Sequence, residues 1–379
     1  MGNGSRFLVS VILALGTVSL SWAQVSYDTV SVNQFKKGLI HYKIVESTIP
    51  WVIQVLEVDL SSNLYTLKTK KANNRLKALS RTSDITNEYF DNEGIVYAAI
   101  NGDFYERFGV PTNAQVSDGL LLKKPKTWKL FDDYNGELFG LTVGGDFFID
   151  SAKYVGFIVI DDDTLSIDKI NNLPEENELA VYNQFYGDST DVDSASIKFE
   201  LVPVEGRVVN ESYQATVRRK WSIDEKELLH EQGEIFSFRG ELPESLESLF
   251  WGDTVIVNHK LEGLPTGIIE LIGGSKRFIN EGRVAGNWPD RHPRSAIGYN
   301  KDQTKFYMVV VDGRQESSAG MTLTELGEFM KSFEVHDALN LDGGGSSTLW
   351  VRNKVVNSPS DKTGERMVSN ILMVIPKEE

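Results

Sequence analysis

Apolar residues in this chain fall mostly into short runs, and the spacing within each run predicts its form. Trp51 to Leu60 (WVIQVLEVDL) is β-branched and apolar and reads as a strand. Ser83 to Phe90 reads as a short helix leading into Ile95 to Ile100 (IVYAAI), a run short enough to be a buried strand. From about residue 140 to 270 the runs are brief and separated by Gly, Asp and Asn, as at Leu179 to Tyr182 and Thr254 to Asn258. Asp161-Asp162-Asp163 lacks the glycine and distal glutamate of a calcium loop and reads as a solvated turn.

The C-terminal third is the most legible. Arg294 to Tyr299 and Lys305 to Val311 predict two strands around the turn Asn300 to Gln303. Met321 to Phe333 predicts a helix capped by Thr322, with Glu325 closing a capping box and Met321 and Leu326 as its apolar staple. Leu323, Leu326, Met330 and Phe333 form its core-facing stripe. Ala338 to Leu341 is the next strand, Ser347 to Val351 and Val355 to Val356 a hairpin around Asn353, and Met367 to Ile375 a last strand. With no repeat and no Pro- or Ser-rich linker, the pattern predicts an α+β fold: a mixed β-sheet core with a few flanking helices in a single domain, residues 24–379.

The first 23 residues read differently. Arg6 precedes the mostly apolar Phe7 to Leu20, and Ser21 and Ala23 put small side chains before Gln24. This is the pattern of a cleaved signal peptide, too short for a span of about 20 residues. No second apolar span follows, so no integral membrane segment is expected after cleavage. The chain has no cysteine, which excludes disulfides and thiolate nucleophiles and points to a bacterial envelope protein, periplasmic or extracellular. A formal charge of -15 argues against a nucleic-acid partner, though not against a locally basic site for a small anion.

Candidate chemistry gathers near the C-terminus. If the strands flanking the capped helix are parallel, Asp312 and Asp342 emerge at one sheet edge, where α/β sheets place ligands. Each alone reads as an Asp-Gly turn; two at matching strand ends favour a site. Gly343-Gly344-Gly345-Ser346-Ser347 after Asp342 could turn backbone N–H groups and hydroxyls toward an anion. There is no P-loop and no dinucleotide fingerprint. Arg294, Arg314 and Arg366 are candidate anion-gripping forks, and His292 a proton carrier. Asn101 could meet sugar hydroxyls, Asp103 adds a carboxylate, and Phe104, Tyr105 or Trp288 could stack on a sugar. The histidines at 41, 230, 259, 292 and 336 show no zinc spacing, so neither metal nor cofactor is expected.

At these residues the chain resembles the phosphodiester glycosidase family. NGDFY, RHPRSAIG, VDGR, GMTLTELGEFM, ALNLDGGGSSTLWV and NSPSD occur in the family's order, over roughly residues 35 to 376 and most densely from 292 onward. Asp103 stands where many members have glycine, and Ser295 where threonine is usual. The resemblance implies a carbohydrate phosphodiester substrate, cut at the anomeric carbon to give free sugar and a phosphomonoester. With that reaction, the leaving-group chemistry points to Asp342 or Asp312, with His292, as the catalytic groups. Asn101, Asp103, Arg294, Arg314, Arg366 and Gly343 to Ser347 would bind substrate. Two other readings stay open: a metal-dependent phosphodiesterase, and a non-catalytic polysaccharide-binding envelope protein.

Overall fold

A computed structural model describes residues 28–126, 136–222, 224–286 and 288–377. The signal-peptide segment and Gln24 lie outside the described residues. Among the described residues no helix is long and apolar enough to cross a membrane.

One eight-stranded sheet carries the site. Its order is Asp28–Lys36, Leu39–Glu46, Trp51–Asp59, Lys305–Val311, Arg294–Asn300, Val335–Asn340, Lys276–Asn280 and Arg283–Val284. Alternation decides what each face meets. Tyr307 and Val309 pack with Ile53 and Val55 against Leu323, Leu326, Phe329 and Met330 of the capped helix, Leu323–Lys331. Phe306, Met308 and Val310 point the other way, into a core shared with Ile100, Leu349 and Leu372. Burial on both faces explains the unbroken apolar run KFYMVVV. The helix carries the expected reciprocal cap: Glu325 N–H donates to Thr322 Oγ1 and Thr322 N–H to the Glu325 carboxylate.

A five-stranded sheet packs behind the first, ordered Lys354–Val355, Leu349–Val351, Ala98–Asn101, Asn370–Pro376 and Tyr65–Lys71. The middle of the chain builds a second eight-stranded sheet with its own apolar cluster around Ile158, Phe199, Val217, Phe236 and Val257. Two loops of that sheet close over Lys198, which is fully buried. Its Nζ lies 2.7 Å from Asp191 O, 2.8 Å from Glu225 O, 2.9 Å from Asp224 Oδ1 and 3.2 Å from Asp193 Oδ1.

The architecture is mostly β, so α+β overstates the helices: Thr82–Asn92, Glu244–Ser248 and Leu323–Lys331 are the α-helices of the described residues. The sheets are also less mixed than expected. Among the named strand pairs only Lys169–Ile170 and Glu178–Tyr182 run parallel. Lys305–Val311 and Val335–Asn340 do point the same way, because Arg294–Asn300 lies between them antiparallel to both. Short turns favour such antiparallel insertion, whereas direct parallel neighbours need a crossover. The register sets Val311 opposite Arg294 and Asn340 opposite Ala296, which brings Asp312, Asp342 and His292 to one edge.

Candidate active site

Asp342 is held by its backbone from two sides. Its N–H donates to Gly102 O at 3.0 Å, and its carbonyl accepts from Asn101 Nδ2 at 2.6 Å. Asn101 Oδ1 accepts from Ser295 Oγ at 2.7 Å and from Thr348 N–H at 3.0 Å. This fully buried amide therefore ties both sheets to the glycine loop, and it is not free for sugar hydroxyls as its residue type had promised. Asp103 is also internal. Its two carboxyl oxygens accept from Asn113 N–H (2.7 Å) and Asn113 Nδ2 (2.8 Å). Burial pushes Asp103 up to about 7, with Asp342 adding to the rise and Asn113 and Lys123 opposing it. The fold thus puts both expected substrate contacts beneath Asp342.

Burial pushes the Asp342 carboxyl up to about 6, against the pull of the Ser346 hydroxyl, Arg366 and the Gly343 N–H. Such a group is mostly ionised at neutral pH yet basic enough to take a proton. Ser346 Oγ is buried beside both this carboxyl and the Tyr105 hydroxyl. Ser347 Oγ and Thr348 Oγ1 are likewise buried without a protein partner. Buried hydroxyls are normally paired, so two left over in the residues that follow Ser346 point to ligand oxygens.

The glycine loop works differently from its sequence expectation. Gly344 N–H donates to Pro293 O at 2.9 Å, Ser346 N–H to Gly343 O at 3.2 Å and Ser347 N–H to Gly344 O at 3.3 Å. With Thr348 N–H on Asn101, those amides close a tight turn and cannot cradle an anion. What the glycines permit is close approach. A Cβ on Gly344, whose φ is +63°, would meet the Arg314 guanidinium at 3.2 Å. A Cβ on Gly345 would lie 2.1 Å from Asp361 Oδ1 and 2.4 Å from Arg366 Nη2. Two guanidiniums therefore press on the loop. Arg366 is gripped two-pronged by Asp361 at 2.7 and 2.9 Å. Arg314 is exposed, has no carboxylate partner among the described residues, and places Nη2 3.5 Å from His292 Nδ1. Burial, then Arg294 and Arg314, lower the His292 pKa, so its imidazole is neutral at neutral pH.

Arg294 is buried rather than presented. Nε donates to Met321 O at 2.9 Å and Nη2 to Asp290 O at 2.8 Å, and the guanidinium lies 5.8 Å from the Trp288 ring centre. Its fork is braced by carbonyls, so it lends the edge positive charge instead of the expected two-pronged grip. Asp312 shares the edge with Asp342 but not its surroundings. Its Oδ1 accepts from Ser358 N–H at 2.9 Å and Asn357 Nδ2 at 3.2 Å, and burial raises it to about 6. Asn357 Nδ2 also donates to Ser347 O at 3.0 Å, so Asp312 anchors the segment behind the loop.

Three site-building residues escape a reading by residue type: Asn113 under Asp103, Asn357 behind the loop, and Asp361 on Arg366. The last two lie in the NSPSD motif, which was the available signal; Asn113 has none. Among the described residues, no group of three or more His, Cys, Asp or Glu side chains is placed to hold a metal ion.

Residues 175–375 match a family model described as phosphodiester glycosidase. A segment of 116 residues is 35% identical to human N-acetylglucosamine-1-phosphodiester alpha-N-acetylglucosaminidase, covering 27% of this chain and 22% of that protein. A segment of 95 residues is 35% identical to the SPbeta prophage-derived uncharacterized protein YomE of Bacillus subtilis (strain 168), covering 24% of this chain and 15% of that protein. The chain thus spans under a quarter of the length of the curated relatives it matches. In fold it is similar to a solved hypothetical protein from Synechocystis, with a TM-score of 0.66 at 19% identity over 91% of this chain and 63% of that one. A Burkholderia pseudomallei K96243 protein described as exported gives 0.58 at 20% identity, over 87% of this chain and 75% of that one.

Proposed function

Because the chain belongs to the phosphodiester glycosidase family, we propose that it hydrolyses a sugar-1-phosphodiester at the anomeric carbon, with Asp342 as the acting carboxylate. The observation that carries this reading is the cluster at one sheet edge: Asp342 with its pKa raised to about 6, the buried hydroxyls of Ser346, Ser347 and Thr348, and the exposed Arg314 guanidinium, which has no carboxylate partner among the described residues.

In this reading the substrate phosphate lies against the hydroxyls and Arg314. Those groups take up the charge that grows on the leaving oxygen as the bond from the anomeric carbon breaks. A phosphomonoester leaves readily, so little protonation is needed; neutral His292, beside Arg314, is the nearby proton carrier. Asp342 either takes the proton of the attacking water or bonds the anomeric carbon itself, as paired-carboxylate glycosidases do. Asn101 is a positioning residue that holds Asp342 through its backbone carbonyl, Asp103 lies buried beneath it and adds to the local negative field, and Asp312 positions the loop through Asn357. The substrate is a carbohydrate phosphodiester of envelope or host glycans. Purified protein is expected to release free sugar from a sugar-1-phosphodiester, such as one of N-acetylglucosamine, and to retain activity in EDTA. Loss of activity in EDTA restored by a divalent cation would favour the phosphodiesterase reading. Glycan binding without turnover would favour a binding protein.

Export to the periplasm or exterior is part of the proposal and rests on Arg6, the apolar Phe7 to Leu20 and the small residues Ser21 and Ala23. Mass spectrometry of the mature protein should find Gln24 at its N-terminus; an intact Met1 would contradict export by cleavage.

A further inference from the structure

The strand Tyr65–Lys71 is the outermost strand of the five-stranded sheet. Lys71 lies opposite Asn370, and Ile371 opposite Asn101. Lys71 is therefore at the same sheet edge as Asn101, two strands away, or roughly 10 Å. The chain leaves that edge through Asn73 (φ 51°) and Asn74 (φ 50°), two exposed residues held left-handed without being glycine. They line a cleft of about 870 Å³ whose far wall includes Gln184, Asp188 and Gln232, from segments that connect strands of the second eight-stranded sheet.

The cleft is polar, and its charges are largely cancelled. Lys70 pairs with Glu93, Arg75 with Asp188, and Asp118 with Lys68. Arg207 faces the buried Glu234 at 3.7 Å. Few lining cations are therefore left to attract an anion. The side-chain amides of Asn73, Asn74, Gln184 and Gln232, by contrast, make no hydrogen bond to the described residues. Each offers a carbonyl acceptor beside an NH₂ donor, the pair that matches two neighbouring hydroxyls. An added peptide strand is disfavoured, because the outer edge of Tyr65–Lys71 is already occupied. Glu270 accepts from Thr69 N–H at 2.8 Å, and Ser117 Oγ donates to Thr69 O at 3.0 Å.

We propose that this cleft is a second carbohydrate site, which holds uncharged sugar residues through the four amides of Asn73, Asn74, Gln184 and Gln232. Its sugar occupancy does not depend on the hydrolytic reading; only its service to the Asp342 site, as the hold on a longer glycan, rests on it.

The test uses the whole chain on an array of neutral and acidic oligosaccharides and of peptides, with calorimetry on what binds. The variant carries Asn73→Gly, Asn74→Gly, Gln184→Ala and Gln232→Ala; glycine keeps the left-handed backbone. Neutral oligosaccharides should bind, and the variant should lose at least tenfold in affinity with its Tm within about 2 °C of the parent. Gln232→Ala alone, at an exposed position, should cost about threefold, which guards against misfolding of the quadruple variant. Hydrolysis of a small sugar phosphodiester should be equal in parent and variant. Binding confined to acidic glycans or peptides, no binding at all, or unchanged affinity in both variants overturns the cleft. Failure of small-substrate hydrolysis in the parent, with glycan binding as stated, overturns the proposed reaction and leaves the cleft standing.

Discussion

Asp342→Asn is expected to lower kcat/KM on a sugar phosphodiester by about 10³-fold or more, with the fold intact. The amide keeps the shape and the neighbouring Ser346 and Gly343 contacts but can neither take a proton nor bond to carbon. Stability should move the opposite way from activity. The native carboxyl sits near 6 because burial disfavours its charge, above its ordinary value. Stability from a raised group is full below the unfolded pKa, near 4, and lost as pH rises through 6. At pH 7.5 the parent therefore carries a penalty that the variant lacks, at most about 3 kcal/mol. The variant should melt at the same temperature or higher there, and the gap should close toward pH 4. The acid limb of the parent's kcat/KM profile should be half-maximal near pH 6 and absent from the residual activity of the variant. A variant with near-parental turnover would remove Asp342 from the chemistry. Asp312→Asn is the contrast: it can still accept from Ser358 N–H, and its loss should be well under 10²-fold.

The largest effect on stability is expected at Lys198, far from that chemistry. Lys198→Met keeps the length and apolar stem but removes the charge that faces Asp193 and Asp224, whose side chains are 0% and 18% exposed. Burial alone would raise Asp224. Lys198 and the N–H groups of Asp193 and Ser194 outweigh it and hold the carboxyl below its usual range. That contribution is present above pH 4 and is lost as pH falls through the lowered value. Removing one partner of a buried pair leaves an uncompensated charge and costs about 3–5 kcal/mol. A Tm drop on the order of 10 °C is expected at pH 7, shrinking as acid protonates the carboxylates. Adding Asp193→Asn should recover part of it. A Tm within about 2 °C of the parent would show that the loops do not depend on this cation.

Legibility followed locality. The capped helix was readable because Thr322, Glu325, Met321 and Leu326 carry its start within a few positions. The shared edge for Asp312 and Asp342 was readable because strand, helix and strand follow each other in sequence. The strand inserted between them was not, since Arg294–Asn300 pairs with both neighbours through contacts no local pattern encodes. The middle of the chain showed its strands but not their order, for the same reason. In the site, Asp342 stood out by its setting after an apolar strand and before three glycines. The glycine run gave no hint that the Gly344 N–H closes on Pro293 O and that the Ser346 and Ser347 N–H groups close on the loop itself. Asn101 and Arg294 have the right chemistry for a ligand, but burial directs it inward, and burial is a property of the whole fold.

The central claim, that the bond broken is the one at the anomeric carbon, is tested most directly with oxygen-18. Hydrolysis of a sugar-1-phosphodiester in labelled water must be followed before the free sugar exchanges its anomeric oxygen. Both bond cleavages can give the same products, so only the position of the label separates them. The label is expected in the released sugar and absent from the phosphomonoester. Label in the phosphomonoester would place the attack on phosphorus and contradict the glycosidase account, whatever the Asp342 variant had shown.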